Sequence, residues 1–306
     1  MEPCNQWENK TSKQVREEFK AIKLEYQNIK VDIKPGNYTC CLFLPNSDIA
    51  FANHMDDVVL IYKIDGTLSA SISIETPFAI TSIDDETIAV TGGNTRLISI
   101  ISLSSNSVVK TIKTEETGCW GITYYDGFLY FVVEWKCIFT LNLSNDNQKR
   151  LNYLNDKHYN SHCRSHLTSF GNRLCYTSNE NADVVVLKIN PDKESAEKVY
   201  QVYEPDVIND QGQCTMDEDR HVYVVSPELR QVILVSAQAG YTCSYDNCRK
   251  LLGKDDGLIY PSAIDYDRKT KRFMIVNLLS DDDGPLSPYF MIFKKAKPEN
   301  QADQKS

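Results

Sequence analysis

The sequence predicts an all-β fold, a six-bladed β-propeller, and three observations carry that prediction. A polar turn followed by four apolar residues recurs six times. Each copy is flanked by two further apolar segments rich in β-branched and aromatic residues. The first strand-like segment of the chain matches the outer strand that the last copy lacks.

The six turn-and-strand units are "LPNSDIAFAN", "IDDETIAVTG", "YYDGFLYFVV", "SFGNRLCYTS", "DEDRHVYVVS" and "DRKTKRFMIVN", anchored at Ile49, Ile88, Leu129, Leu174, Val222 and Phe273. Their spacing of roughly 39 to 51 residues lies in the range of propeller blades. Ahead of the units stand "CCLFL", "FAITSI", "WGITYY", "HLTSF", "QCTM" and "SAIDY". Behind them stand "VVLIYKI", "LISIISL", "CIFTLNL", "VVVLKI", "VILVSA" and "YFMIF". Such short apolar runs, bounded by turn formers, read as strands of a meander. A fourth, more polar strand follows most copies ("LSASISI", "VVKTIKT", "EKVYQVY"), as suits an outer edge facing water.

The sixth copy ends instead in "KKAKPENQADQKS", too polar and Pro-broken for a strand. Asn28 to Ile33 supplies the missing outer strand from the other end of the chain, closing the ring. The propeller is therefore expected over 28–295. Residues 1–27 form a tail in which Val15, Phe19 and Ile22 fall at helical spacing, and 296–306 form a disordered tail.

Composition narrows the partners. A net charge of -9 opposes attraction to nucleic-acid phosphates and anionic membranes, and no apolar run is long enough to span a bilayer. The start of the chain has no signal-peptide core, and most of the ten cysteines lie in apolar runs. Both features point to a cytoplasmic protein with reduced, buried thiols. The sequons at Asn9, Asn37 and Asn142 are read as silent without an export signal.

Gly92 and Gly93 join two strands rather than a strand and a helix, so they form a turn and not a phosphate cradle. The loops between second and third strands share one end of the propeller with the connections between blades. That face collects Phe78, Arg96, Trp120, Trp135, Arg230 and Tyr260 as candidate partner-binding residues, aromatic and arginine side chains being common interface anchors. His166 and Gln213 join them, because they stand where the other inner strands carry small residues (Cys41, Ala79, Gly121, Ala263) and so line the central channel.

Other constellations are weaker. His158, His162 and His166 with Cys163 have a zinc-like spacing but lack a second ligand pair, and Cys243 and Cys248 read as exposed loop thiols. No metal or cofactor is expected, and no nucleophile elbow is present.

The motifs "SIDDETIAVTGG", "VVKTIKT", "WGITYYDGFLYFVV" and "DDGLIYPSAIDYDRKTKRFMIVN" resemble blades of the NHL-type propeller found at the C-terminus of tripartite-motif (TRIM) proteins, especially the divergent invertebrate, mollusc-like set. That resemblance implies a propeller that recruits a target while a RING finger works with an E2 enzyme to transfer ubiquitin. Only Cys4 precedes Cys40, so the RING is expected in another chain or another part of the gene product. The RNA-binding members use a basic face. Here Glu115, Glu116, Asp255, Asp256 and Asp281 to Asp283 argue for a protein target. The alternative is a calcium-dependent lactonase or esterase, another use of six-bladed propellers, with Asn53, Glu134, Asn179 and Asn277 as oxygen ligands.

Overall fold

The second and third strands of each unit are apolar on both sides because blades stack face against face. The fourth strands are polar because nothing covers them. Ile49–Asn53 is buried at all five positions, whereas Ser107–Lys113 is exposed at six of its seven. The computed structural model describes residues 17, 19–115, 118–134, 137–153, 165–178, 183–203, 212–237, 248–278 and 288–296.

Among those residues the strands form six sheets arranged as a six-bladed propeller. β1 (Leu24–Asp32) precedes blade one, which consists of β2 (Tyr38–Phe43), β3 (Ile49–Asn53), β4 (Val58–Tyr62) and β5 (Leu68–Ser73). Blade two is β6 (Ile80–Ser82), β7 (Thr87–Thr91), β8 (Leu97–Ser102) and β9 (Ser107–Lys113). Blade three is β10 (Cys119–Tyr125), β11 (Phe128–Val133), β12 (Cys137–Asn142) and β13 (Asn147–Arg150). A short β14 (Asn152–Tyr153) leaves blade three and pairs in parallel with the outer strand of the next blade. Blade four is β15 (Leu167–Phe170), β16 (Arg173–Ser178), β17 (Asp183–Ile189) and β18 (Ser195–Tyr203), and blade five is β19 (Cys214–Met216), β20 (Val222–Ser226), β21 (Gln231–Val235) and β22 (Cys248–Leu252). Blade six is β23 (Pro261–Asp267), β24 (Arg272–Asn277) and β25 (Tyr289–Lys295), with β1 as its outer strand.

The ring closes through β1. It runs antiparallel to β25 from Leu24 opposite Lys295 to Asp32 opposite Tyr289, with a bulge after Tyr26 where Asn28 takes a positive φ of 56°. The closing strand thus begins ahead of Asn28. Behind it, residues 19–21 are helical, and Phe19 and Ile22 are buried in the core shared by blades five and six. Arg249 of β22 holds this leader by donating from Nη2 to the carbonyls of Phe19 and Ile22, with its guanidinium 5.6 Å from the Phe19 ring centre.

Blades adhere through aromatic contacts as well as aliphatic ones. Phe51 of blade one meets Phe290 of blade six at 5.8 Å, and Phe273 of blade six packs at 4.4 Å on Tyr223 of blade five. The six anchors named from the sequence (Ile49, Ile88, Leu129, Leu174, Val222, Phe273) are all fully buried. Burial of each such side chain contributes roughly 1.5 to 3 kcal/mol.

Cys248 corrects one expectation. It is the first residue of β22 and is buried, because the outer strand of blade five already starts there, so it is not an exposed loop thiol; Cys243 lies outside the described residues. The seven described cysteines are all buried.

Candidate functional site

Inner strands β2, β6, β10, β15, β19 and β23 surround the axis. Each begins at the end of the propeller that carries the blade connections and the second-to-third-strand loops, here called the upper face. Each ends at the polar first-to-second-strand turns, the lower face. The two ends of the channel are built differently.

At the upper end the channel is stoppered by side chains. Gln213 reaches from blade five to blade one, where its Nε2 donates to the Cys41 carbonyl at 2.9 Å. Its Oε1 accepts from the Cys41 N–H at 2.9 Å and from the Ile264 N–H at 3.3 Å. A bidentate amide of this kind satisfies backbone groups that an inner strand edge would otherwise leave unpaired. Beside it the His166 ring stacks on Phe78 at 4.9 Å, and Phe78 meets Trp120 edge-on at 4.8 Å. Burial pushes the His166 imidazole down to about 3, so this ring is a neutral packing group at physiological pH.

Close backbone approach completes the upper ring. Gly121 N donates to Ser165 O at 2.9 Å, and a Cβ at Gly121 would lie 2.5 Å from that oxygen and 2.8 Å from Leu167 N. The Thr91 hydroxyl donates to the Trp120 carbonyl, and Thr39 donates to Phe78 O at 2.6 Å. Gly121→Ala is therefore expected to destabilise the protein by about 1 to 3 kcal/mol, because backbone on the next blade cannot rotate away. A shift of the urea midpoint at unchanged m-value measures it, and an unshifted midpoint would show that blades three and four slide freely there.

The sequence-derived candidates thus separate into three groups. Phe78, Trp120, His166 and Gln213 come together, buried, as the stopper. Arg96, Arg230 and Tyr260 stand exposed on the upper face, on blade two, on blade five and on the connection into blade six. Trp135, with His158, His162, Cys163 and Asn179, lies outside the described residues.

Upper-face apolar exposure is the signal that single-residue reading missed. Met55 on the loop of blade one is 63% exposed, and Leu229 beside Arg230, and Ile259 beside Tyr260, are also exposed. Among the described residues the other exposed large apolar side chains are Tyr26, Val108 and Val109 on outer strands, and Tyr203, also at the upper end, on β18 of blade four. Blades five, six and one therefore present an arc of apolar side chains with an arginine among them. Two of the four oxygen ligands expected for a calcium site, Asn53 and Asn277, hold hydrogen bonds of their own. Asn53 Nδ2 donates to Asp56 at 2.8 Å, and Asn277 accepts from Ile259 N–H at 3.0 Å, so both brace their own loops.

At the lower end the channel opens into a cavity of about 740 Å³, within the range of small-molecule sites. Its wall is polar. Thr123 and Ser169 share a hydrogen bond of 2.7 Å, and Asp265 Oδ2 accepts from the Phe43 N–H at 2.8 Å. Burial raises the Asp265 carboxyl above its ordinary range. Arg268 crosses the mouth, donating from Nη2 to Met216 O at 2.7 Å and Ser169 O at 3.3 Å, with its guanidinium 4.6 Å from the Phe170 ring centre. Of the residues lining this lower site only Gln213, at its ceiling, was singled out from sequence, because the parts come from six segments spread over more than two hundred residues.

One acidic cluster belongs to the closure rather than to either face. Asp217, Asp219 and His221 place ligand-type atoms within 4.8 Å of one another, and Lys295 Nζ lies 2.9 Å from both carboxylates. The lysine supplies the positive charge at that point.

Fold and site together define the class: a six-bladed β-propeller, closed by its N-terminal strand, stoppered above and open below. Solved structures share this fold. The WD40 repeats of RRP9 superpose with a TM-score of 0.61 at 9% identity, over 89% of this chain and all of that one. U3-55K gives 0.58 at 10% identity, over 87% of this chain and 99% of that one. A chain of a nidogen/laminin complex gives 0.57 at 13% identity, over 74% and 84%. No protein family and no curated protein sequence matches this chain. The likeness is one of fold, with WD40-type neighbours, and the NHL-type resemblance rests on the blade motifs alone.

Proposed function

We propose that this propeller is a protein-recognition module and that its upper face receives the partner. The observation that carries this reading is the arc of exposed Met55, Leu229, Ile259 and Tyr260, with Arg230 beside them, on one face of a rigid all-β frame. Large apolar and arginine side chains held out of the core on one surface are the chemistry of interface anchors. The backbone at Tyr260 is tied to the end of the second strand of blade six, where Leu278 N donates to Tyr260 O at 2.9 Å. WD40-type structural neighbours agree with an interaction role.

In the finer reading, the module selects targets for a TRIM-like ubiquitin ligase whose RING is supplied in cis or in trans. This chain then contributes binding and no catalysis. A cytoplasmic setting fits its buried cysteines. The calcium-dependent hydrolase is the weaker reading, because Asn53 and Asn277 already spend their amide groups on loop hydrogen bonds.

Proximity labelling in the source cells tests the proposal. The triple variant Met55→Ser, Arg230→Ala and Tyr260→Ala should keep the wild-type melting temperature and lose the partners that wild type labels, each anchor costing roughly 1 kcal/mol or more. A lower-face control, Lys269→Ser, should keep them. An unchanged partner set in the triple variant would refute an upper-face interface. Ubiquitin on the labelled partners that disappears with the same variant would support the ligase reading, and ubiquitin independent of it would count against that reading.

A further inference from the structure

The lower cavity contains two charged side chains that physical chemistry does not expect to find apart. Buried charges in proteins are ordinarily paired, because desolvation of a lone ion is expensive. Asp265 and Arg268 both line the same cavity, on the same strand and its turn; each feels the other's charge, yet among the described residues neither touches the other or a third charged group in a direct ion pair. Each is instead positioned by backbone. Asp265 is fixed by the Phe43 N–H, by the Tyr266 N–H and, at 3.3 Å, by the Thr215 hydroxyl, and Arg268 by two carbonyls of the neighbouring blades. Both of these Arg268 hydrogen bonds come from Nη2. Both groups are thus held in place with unspent bonding capacity: an acceptor near the axis and a donor across the mouth.

A ligand bearing both charges would answer both. Hydroxyl groups of Thr81, Thr123 and Thr168 line the space and offer neutral hydrogen bonds to whatever joins the two ends. Of the charges at the rim, Asp85 and Lys269 are exposed, and Asp267 accepts from the Lys269 N–H and the Thr270 hydroxyl.

We propose that the lower channel is a binding site for a small zwitterion, a free amino acid or short peptide, whose ammonium group sits at Asp265 and whose carboxylate sits at Arg268. Gln213 closes the cavity above, so the ligand enters and leaves by the lower face. The site is independent of the protein-recognition surface, which lies at the other end of the channel.

The test uses the full-length wild-type protein with the free α-amino acids and alanyl dipeptides as probes, read by thermal shift and isothermal titration. At least one zwitterion should raise the melting temperature in a saturable manner. Its N-acetyl and C-amide derivatives, each lacking one charge, should bind about tenfold or more weakly. Arg268→Gln should weaken the zwitterion and leave the C-amide derivative unaffected. Asp265→Asn should do the same for the N-acetyl form; if that variant does not fold, the N-acetyl derivative on wild type tests the same contact. Absence of binding by every probe, or equal binding of free and singly blocked forms, would overturn the proposal. The Met55, Arg230 and Tyr260 triple variant should bind the zwitterion normally, which separates failure here from failure of the upper-face reading.

Discussion

Removal of residues 1–32 should abolish cooperative folding, the largest single effect expected of any change in this chain. Those residues contain β1, the outer strand of blade six, and the leader whose Phe19 and Ile22 fill the core between blades five and six. Without them β25 presents an unpaired edge directly over Tyr289, Phe290, Met291, Ile292 and Phe293, all buried in the intact protein. An open apolar edge is both an energetic loss and a template for aggregation. Contacts made by the missing strand would vanish as well, including Tyr26 against Phe293 at 5.5 Å and the Lys30 ammonium 4.0 Å from the Tyr289 ring centre. Circular dichroism melting and size exclusion should show a broad, non-cooperative transition and aggregated material. A truncated chain that melted as sharply and as high as wild type would mean that the ring does not depend on its clasp.

Lys295→Met should cost about 3 to 5 kcal/mol, the range for leaving a buried charge without its partner. Lys295 closes β25 and lies 2.9 Å from Asp217, whose side chain is fully buried, and 2.9 Å from Asp219. Asp217 also accepts from the His221 N–H at 2.8 Å and the Tyr223 hydroxyl at 2.8 Å. Burial alone would push the Asp217 carboxyl up, but His221 and Lys295 outweigh it and hold it well below the usual carboxylate range. A carboxyl lowered by folding stabilises the native state above its unfolded value, and that stability is lost as the pH falls toward the folded value. The difference between wild type and Lys295→Met should accordingly be greatest near neutrality and shrink below about pH 4. Burial lowers Lys295, yet Asp217 and Asp219 raise it to about 12 overall, so its contribution holds below its unfolded value and fades as the pH rises through 12. Denaturant melts across this pH range measure both windows. Adding Asp217→Asn should recover part of the loss, since the neutral amide leaves no uncompensated charge. A pH-independent difference would show that the lysine acts by packing alone.

The blades were legible in the sequence because each strand class meets a distinct environment. Second and third strands are covered on both faces, so they read as unbroken apolar runs such as "IAFAN" and "VILV"; the fourth strand, at the rim, reads as "SVVKTIK". Ring closure was legible for a related reason, since a sixth unit without an outer strand demands one from elsewhere. Cys248 was not legible, because "YTCSYDNC" carries no periodicity to mark where β22 begins. The upper-face residues divide by height along the axis, which sequence order does not encode. Phe78, Trp120, His166 and Gln213 start inner strands and turn into the channel, whereas Arg96 and Arg230 sit in loops one level above.

The order of apolar and polar residues along the chain was by itself enough to determine six sheets, their strand order and the strand that joins the two ends. Only the tertiary structure decided what the axis contains. Gln213 meets Cys41 across 172 positions of sequence, and Asp265 meets Phe43 across 222. Periodicity is a local property that records whether a residue is covered. Which charges and amides face one another across a closed ring depends on how six twisted sheets pack, and no local pattern carries that information.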